Sequence, residues 1–131
     1  MSKPLPGFVA RRVVIQDDGE VAMVGFADDE YETRIYVLLQ RTLHPVEQDV
    51  AAGQDEVHIT VCDESRSRYG GIRQIRVDDK HVVVAFSEDA AMDLETAREV
   101  TIDISSAGVN MQSLMAGLKT VCHERVPLNE T

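Results

Sequence analysis

A nearly apolar run lies in the first third of the chain: Arg34-Ile35-Tyr36-Val37-Leu38-Leu39-Gln40. Its β-branched and aromatic residues favour an extended strand. Consecutive apolar positions are typical of a strand that is covered on both faces, because neither side then has to meet water. We therefore predict that a strand over residues 33–40 lies at the centre of a sheet, and the remaining elements are predicted outward from it.

On the N-terminal side, two further β-rich runs cover residues 8–15 and 20–27. They are separated by a turn that contains Asp18-Gly19, and glycine readily adopts the positive φ that a tight hairpin needs. The acidic residues 28–30 interrupt the pattern again. The three runs therefore predict an antiparallel meander of three strands.

On the C-terminal side, a polar connection with a short helix at 46–52 leads to further strands. These strands are predicted over 56–62, 71–77, 81–87 and 98–104, with a hairpin between the second and the third. Ser87 is a suitable N-cap for a short helix over 90–95, because its hydroxyl can accept a hydrogen bond from the first turn. A final helix over 110–123 carries one apolar face, formed by Met111, Leu114, Met115, Leu118, Val121 and Cys122.

Together these elements predict an α+β fold with a single, mostly antiparallel, meander-rich sheet. One short helix and the C-terminal amphipathic helix would complete it, the latter packed on one face. The 131 residues, 44% of them hydrophobic, suffice for one domain over 1–131 with its own core. We expect residues 1–7 to form a flexible N-terminus and residues 124–131 a C-terminal tail.

The charge balance narrows the partners that the protein could bind. Thirteen basic residues against 23 acidic ones give a formal net charge of -10. Proteins that bind nucleic acid or anionic membranes do so through a basic surface, so we expect neither as a partner. A basic macromolecule is the natural complement. No apolar segment has the length of a signal peptide core or of a membrane span, which predicts a cytoplasmic protein.

Motifs for catalysis and for cofactor or metal binding are absent from the sequence. There is no Gly-Lys-Ser or Gly-Lys-Thr phosphate loop and no Gly-x-Ser-x-Gly nucleophile turn. His58 and Cys62 share a strand face, but their spacing of about 13 Å is too wide for one metal ion. We therefore predict no enzyme activity, no cofactor and no metal. Cys62 and Cys122 are expected to be reduced thiols.

The acidic residues are clustered, and two interpretations of the clusters stay open. One cation-free set lies between Asp17 and Glu32, and a second between Glu47 and Glu64. Such sets can simply be solvated faces that keep the protein soluble. They can also attract a basic partner and accelerate its association.

Four motifs in a fixed order carry a resemblance. They are Tyr36-Val37-Leu38-Leu39-Gln40-Arg41, Glu47-Gln48-Asp49, Tyr69-Gly70-Gly71-Ile72 and Ser87-Glu88-Asp89-Ala90-Ala91. With the strand and helix that follow, this arrangement resembles the immunity protein 10 family of bacterial polymorphic toxin systems, over about residues 32–122. The resemblance implies an intracellular inhibitor that binds and neutralises a cognate toxin domain and has no catalysis of its own.

The resemblance also implies roles for individual residues. The shared motif residues Gln40, Arg41, Glu47, Gln48, Asp49, Tyr69, Gly70 and Gly71 are interpreted as structural. Under this hypothesis Arg41 forms an ion pair with Glu47 or Asp49, and the Tyr-Gly-Gly segment packs nearby. The resemblance favours the second interpretation of the acidic clusters, so that a basic toxin domain docks on acidic loops. The residues predicted to bind it are Asp28, Asp29, Glu30, Glu32, Asp55 and Glu56.

Two other classes of function remain as alternatives. The chain could be a small-ligand-binding or regulatory domain, with a pocket on an uncovered sheet face or beside Gly70-Gly71; a deep apolar cavity with convergent polar groups would favour it. It could also be a hydrolase with a carboxylate pair, for which strongly raised carboxyl pKa values in a cleft would be the sign. Homodimerisation through an exposed sheet edge is compatible with each of these functions.

Overall fold

The computed structural model describes residues 4–131, which form ten strands and three helices. The strands are β1 (Leu5–Val9), β2 (Arg12–Asp17), β3 (Val21–Ala27), β4 (Tyr36–Thr42), β5 (His58–Val61), β6 (Asp63–Tyr69), β7 (Ile72–Val77), β8 (His81–Phe86), β9 (Thr96–Asp103) and β10 (Leu128–Glu130). The helices are α1 (Glu47–Ala51), α2 (Glu88–Leu94) and α3 (Met111–Cys122).

The strands form two five-stranded sheets, so the predicted single sheet is wrong although the α+β class is right. One sheet has the order β2-β3-β4-β5-β6 and is antiparallel throughout; it is called the meander sheet. The other has the order β1-β9-β8-β7-β10, with β1 and β10 parallel to their neighbours; it is called the mixed sheet. Two crossings of the chain between the sheets produce this arrangement.

The first crossing lies at Ala10, inside the run that was predicted as one strand over 8–15. The Ala10 amide donates to the Asp103 carbonyl in the mixed sheet at 2.8 Å. The next amide, of Arg11, donates to the Ala27 carbonyl in the meander sheet, also at 2.8 Å. Ala10 itself is fully buried. The run is therefore two strands that belong to different sheets.

The second crossing is the Tyr-Gly-Gly segment between β6 and β7. Gly70 and Gly71 both have positive φ, at 76° and 92°. A Cβ atom on Gly71 would lie 2.5 Å from the Cβ of Ala90 in α2. The Gly71 carbonyl accepts from the Ser87 amide at 2.9 Å. Glycine is needed here both for the backbone conformation and for the close approach of α2.

The predicted meander of β2, β3 and β4 is confirmed, and β4 is the middle strand of its sheet. Its predicted coverage on both faces is wrong. Val37 and Leu39 are buried, whereas Tyr36 and Leu38 on the other face are partly exposed. The meander sheet therefore has a buried inner face, with Val24 and Leu39, and an outer face, with Met23 and Leu38.

Helix α3 covers the inner face. A Cβ on Gly117 would lie 2.7 Å from Ile15 and 3.2 Å from Val24, which shows how closely the helix approaches β2 and β3. One cluster of buried side chains includes residues of both sheets, α2 and α3. The predicted N-cap of α2 is confirmed, since the Ser87 hydroxyl accepts from the Ala90 amide at 3.2 Å.

Both chain ends contain strands, where the sequence predicted a flexible N-terminus and a C-terminal tail. Residues 1–3 of the expected N-terminus lie outside the described residues, but Leu5 to Gly7 belong to β1, which pairs with β9. Within the expected tail, Leu128 to Glu130 pair with Ile75 to Val77 of β7. Each segment supplies an edge strand whose hydrogen bonds are formed with residues distant in sequence.

Candidate partner-binding surface

The loop between β3 and β4, here called the acidic loop (residues 28–35), has a defined shape. The carboxylate of Asp28 accepts from the Arg34 amide at 2.9 Å and from the Ile35 amide at 3.1 Å. The Asp28 amide in turn donates to the Ile35 carbonyl at 3.0 Å. One aspartate therefore closes the base of the loop.

A second aspartate shapes the tip. The Asp29 carboxylate accepts from the Tyr31 amide at 2.8 Å and from the Glu32 amide at 2.9 Å. The Thr33 hydroxyl donates to the Asp29 carbonyl at 2.8 Å. The amide of Glu32, followed by that of Tyr31, holds the pKa of the Asp29 carboxyl below its ordinary value. The Asp29 carboxylate consequently stays ionised, and continues to accept these bonds, to a lower pH than an ordinary aspartate would.

Three consecutive side chains at this tip face solvent. Glu30, Tyr31 and Glu32 are exposed, and Tyr31 is 88% exposed. Within residues 4–131, neither glutamate forms an ion pair. The acidic loop therefore presents two unpaired carboxylates on either side of an aromatic ring, on a backbone that its own aspartates fix.

A second acidic turn lies at the other end of β3. The Asp18 carboxylate accepts from the amides of Glu20 and Val21, each at 2.8 Å, and these bonds lower the pKa of the carboxyl. Asp17 accepts from the Gly19 amide at 2.8 Å. Because β3 has seven residues, the two acidic ends are about 20 Å apart.

Between these ends, the outer face of the meander sheet carries an apolar groove. The groove has a volume of about 330 Å³ and is lined in its centre by Val14, Met23, Gly25, Tyr36 and Leu38. Glu30 and Thr33 of the acidic loop line one end together with Arg12 of β2, and Gln16 lies toward the other end. Since α3 packs on the inner face, this row of strand residues is half-buried and open to solvent.

The other predicted docking residues, Asp55 and Glu56, are already paired within the molecule. Asp55 is buried, and its carboxylate lies 2.6 Å from the Arg125 guanidinium. The Glu56 carboxylate lies 3.3 Å from the other terminal nitrogen of Arg125. Both carboxylates therefore fix the chain just before β10, and we leave them out of the binding surface.

Arg41 does not form the ion pair that was predicted with Glu47 or Asp49. Its guanidinium instead donates to the Thr120 carbonyl at 2.8 Å and 3.2 Å, and to the Val121 carbonyl at 3.0 Å. These carbonyls belong to the last turn of α3, where the helix has no internal donors left. Asp49 has a local role, because its carboxylate accepts from the Val46 amide at the start of α1 at 3.1 Å.

Other motif residues line a small cleft on the meander sheet. Gln40, Arg41, His58 and Tyr69 contribute to it, and its volume is about 170 Å³. The His58 and Tyr69 rings meet edge to face, with 4.7 Å between their centroids. A larger groove of about 490 Å³ lies between α2 and β9, beside Met92 and Thr96.

Groups that could support metal or thiol chemistry are sparse in the part of the chain that the structure describes. No three His, Cys, Asp or Glu side chains in it are placed to hold a metal ion. Both cysteines are free thiols. Burial raises the pKa of the Cys122 thiol to about 11, although the positive charge of Arg41 acts to lower it. Among the described residues, no helix has the length and apolar character needed to cross a membrane.

The sequence predicted the acidic loop but missed two neighbouring features. Tyr31 could have been noticed as an aromatic residue flanked by acids, a residue type enriched at binding hot spots. The outer face could have been noticed from β3, whose seven residues are all apolar, because successive strand residues point to opposite faces and both faces of this strand are therefore apolar. The continuous apolar run of β4 was instead interpreted as coverage on both faces.

These observations define the class of the protein. It is a small acidic α+β protein, and its acidic loop and apolar groove together form a surface that is open to solvent. The family model for immunity protein 10 matches residues 9–112, which is most of the chain. The chain therefore belongs to the immunity protein 10 family, as its motifs had suggested. The family consists of immunity proteins of toxin systems, which are generally non-catalytic. No curated protein matched the chain.

Proposed function

We propose that this protein binds a cognate toxin domain in the cytoplasm of the cell that makes both, and so protects that cell. Membership of the immunity protein 10 family is the observation that carries the proposal. The surface described above suits binding to another macromolecule, since its groove is shallow and open and lies between acidic ends. The protein acts as a stoichiometric inhibitor and transforms no substrate.

The toxin domain carries basic residues that meet the acidic loop. Glu30 and Glu32 are exposed and unpaired in the described chain, and the net charge of -10 extends the attraction over the whole molecule. Asp28 and Asp29 contribute charge as well, but one oxygen of each already accepts amide hydrogen bonds. Charges placed in this way mainly accelerate association and select the partner.

The resemblance to the family also implies that the toxin gene lies beside the gene of this protein, so the test is co-expression with the toxin domain encoded there. We expect the wild-type chain to restore growth of cells that produce this domain, because a bound toxin cannot reach its target. Purified Glu30→Lys/Glu32→Lys protein should associate roughly tenfold more slowly at low salt, with a weaker dependence of the rate on salt.

The matched control is Glu124→Lys/Glu130→Lys, which reverses two exposed charges outside the meander sheet and so changes the net charge by the same amount. This variant should retain more of the wild-type association rate than the loop variant does. Cells that die despite abundant wild-type protein would contradict the immunity function. Unchanged association of the loop variant would contradict the role of the acidic loop alone.

A further inference from the structure

The outer face of β2, β3 and β4 is unusual among the exposed sheet surfaces of the described chain. Its central positions are Val14, Met23, Gly25 and Leu38, and the pairing places Val14 and Leu38 on either side of Gly25. None of these residues has a charged or hydrogen-bonding side chain. Because Gly25 has no side chain, the centre of the row is a depression between its two neighbours.

The corresponding face of the mixed sheet is polar. The equivalent positions of β7, β8 and β9 include Arg76, Val83, Glu99 and Thr101. Arg76 and Glu99 form an ion pair across this face, with a nitrogen–oxygen distance of 3.1 Å. The same molecule therefore has an exposed sheet face with polar and ion-paired side chains, and the apolar face of the meander sheet differs from it.

The charges around the apolar face indicate what covers it. Acidic turns stand at both ends of β3, with Asp17, Asp18 and Glu20 at one end and the acidic loop at the other. A second copy of this chain, packed face to face with its strands aligned to these, would bring acidic ends against acidic ends, and the single Arg12 at the loop end of the groove would offset only part of that repulsion. A partner with an apolar segment between basic residues would match both features, because its apolar segment fits the groove and its basic residues meet the acidic ends.

We propose, on the basis of the proposed function, that the toxin domain docks over the outer face of the meander sheet. An apolar segment of the toxin fills the groove beside Met23 and Leu38, and basic residues at its two ends meet the acidic turns. Tyr31, at the rim, adds an exposed aromatic contact. The acidic ends accelerate encounter, and the apolar centre sets how long the complex lasts.

The double variant Met23→Gln/Leu38→Gln tests this surface without changing any charge. Both side chains are partly exposed, so their replacement should leave the fold intact, which circular dichroism and thermal unfolding can verify. We expect the variant to dissociate from the toxin domain encoded in the neighbouring gene roughly tenfold faster or more, with an association rate close to wild type. Val83→Gln, on the outer face of the mixed sheet, is the matched control and should bind as wild type does.

Methionine oxidation gives a second measurement that needs no variant. In the complex, peroxide should oxidise Met23 several-fold more slowly than in the free protein. Met92, which is 73% exposed on α2, should be oxidised at the same rate in both states.

The outcomes separate this inference from the function on which it rests. If the wild-type chain does not bind the toxin domain, the proposed function is wrong and the docking surface falls with it. If wild type binds and the double variant dissociates no faster, or Met23 stays as reactive in the complex, only the docking surface is wrong. Self-association of the chain that the double variant abolishes would assign the face to a second copy and would also overturn the inference.

Discussion

At the scale of single residues, the motif arginine has a different partner from the one that sequence proximity suggested. Arg41 lies six residues from Glu47, yet it donates to carbonyls 79 and 80 residues further along the chain. Its planar guanidinium can serve two carbonyls at once, which a lysine could not do in the same geometry. Arg41 therefore ties the central strand β4 to the C-terminal turn of α3.

Replacing Arg41 by methionine should lower the free energy of unfolding by roughly 1.5 to 3 kcal/mol, because a charged donor to helix carbonyls is lost while the apolar stem is kept. Denaturant unfolding followed by circular dichroism measures the change. Arg73→Met is the control, since Arg73 is exposed and forms no ion pair within the described chain. Equal stability of the two variants would show that the α3 contact contributes nothing.

At the scale of elements, the sequence predicted the helices and hairpins that are determined by interactions between residues close together in the chain. The β2–β3 hairpin follows from Asp18-Gly19, α2 begins at Ser87, and α3 follows from its single apolar face. Strand β6 was missed because its sequence, Asp-Glu-Ser-Arg-Ser-Arg-Tyr, lacks an apolar alternation. It is held by distant partners instead, including the Leu94 carbonyl, to which Arg66 donates at 2.9 Å.

The crossing between β6 and β7 gives a prediction at this scale. Gly71→Ala should destabilise the protein more than Gly70→Ala, although both glycines have positive φ. The Gly70 variant has open space and bears only the backbone cost of about 1 to 2 kcal/mol. The Gly71 variant adds a steric overlap with Ala90, which costs about 1 to 3 kcal/mol more.

Chemical denaturation of the two variants, measured side by side, provides the check. Because the backbone requirement is common to both, the difference between them isolates the packing of α2 against the crossing. A Gly71 variant as stable as the Gly70 variant would mean that α2 moves away at no cost. The close approach would then not explain why a second glycine is present.

At the scale of the whole molecule, the number of sheets depends on contacts that a linear pattern does not contain. Ala10 lies inside a run that was predicted as one strand, and Gly71 begins another predicted strand. Their hydrogen bonds with Asp103 and Ser87 place both residues at points where the chain changes sheets. Contacts between distant residues also divide the acidic residues that were predicted to bind the partner into paired and unpaired ones. Asp55 meets Arg125, 70 residues away, whereas Glu30 and Glu32 meet no cation in residues 4–131.

The same scale explains why sequence alone supplied the class of function more readily than the site. Family motifs are short and ordered, so they can be recognised without any coordinates. A docking face is instead assembled from alternate residues of three strands and from turns at their two ends. Its apolar centre is assembled by the pairing of β2, β3 and β4, which places Val14, Met23 and Leu38 on one side of the sheet.

The most direct test of the central claim is a calorimetric titration of the purified chain with the purified toxin domain encoded beside its gene. An unrelated basic protein of similar size serves as the control for unspecific charge attraction. The account predicts a saturable complex with a Kd below about 1 μM for the toxin domain and no saturable complex for the control. Absence of a complex at micromolar concentrations, or equal binding of the unrelated basic protein, would contradict it.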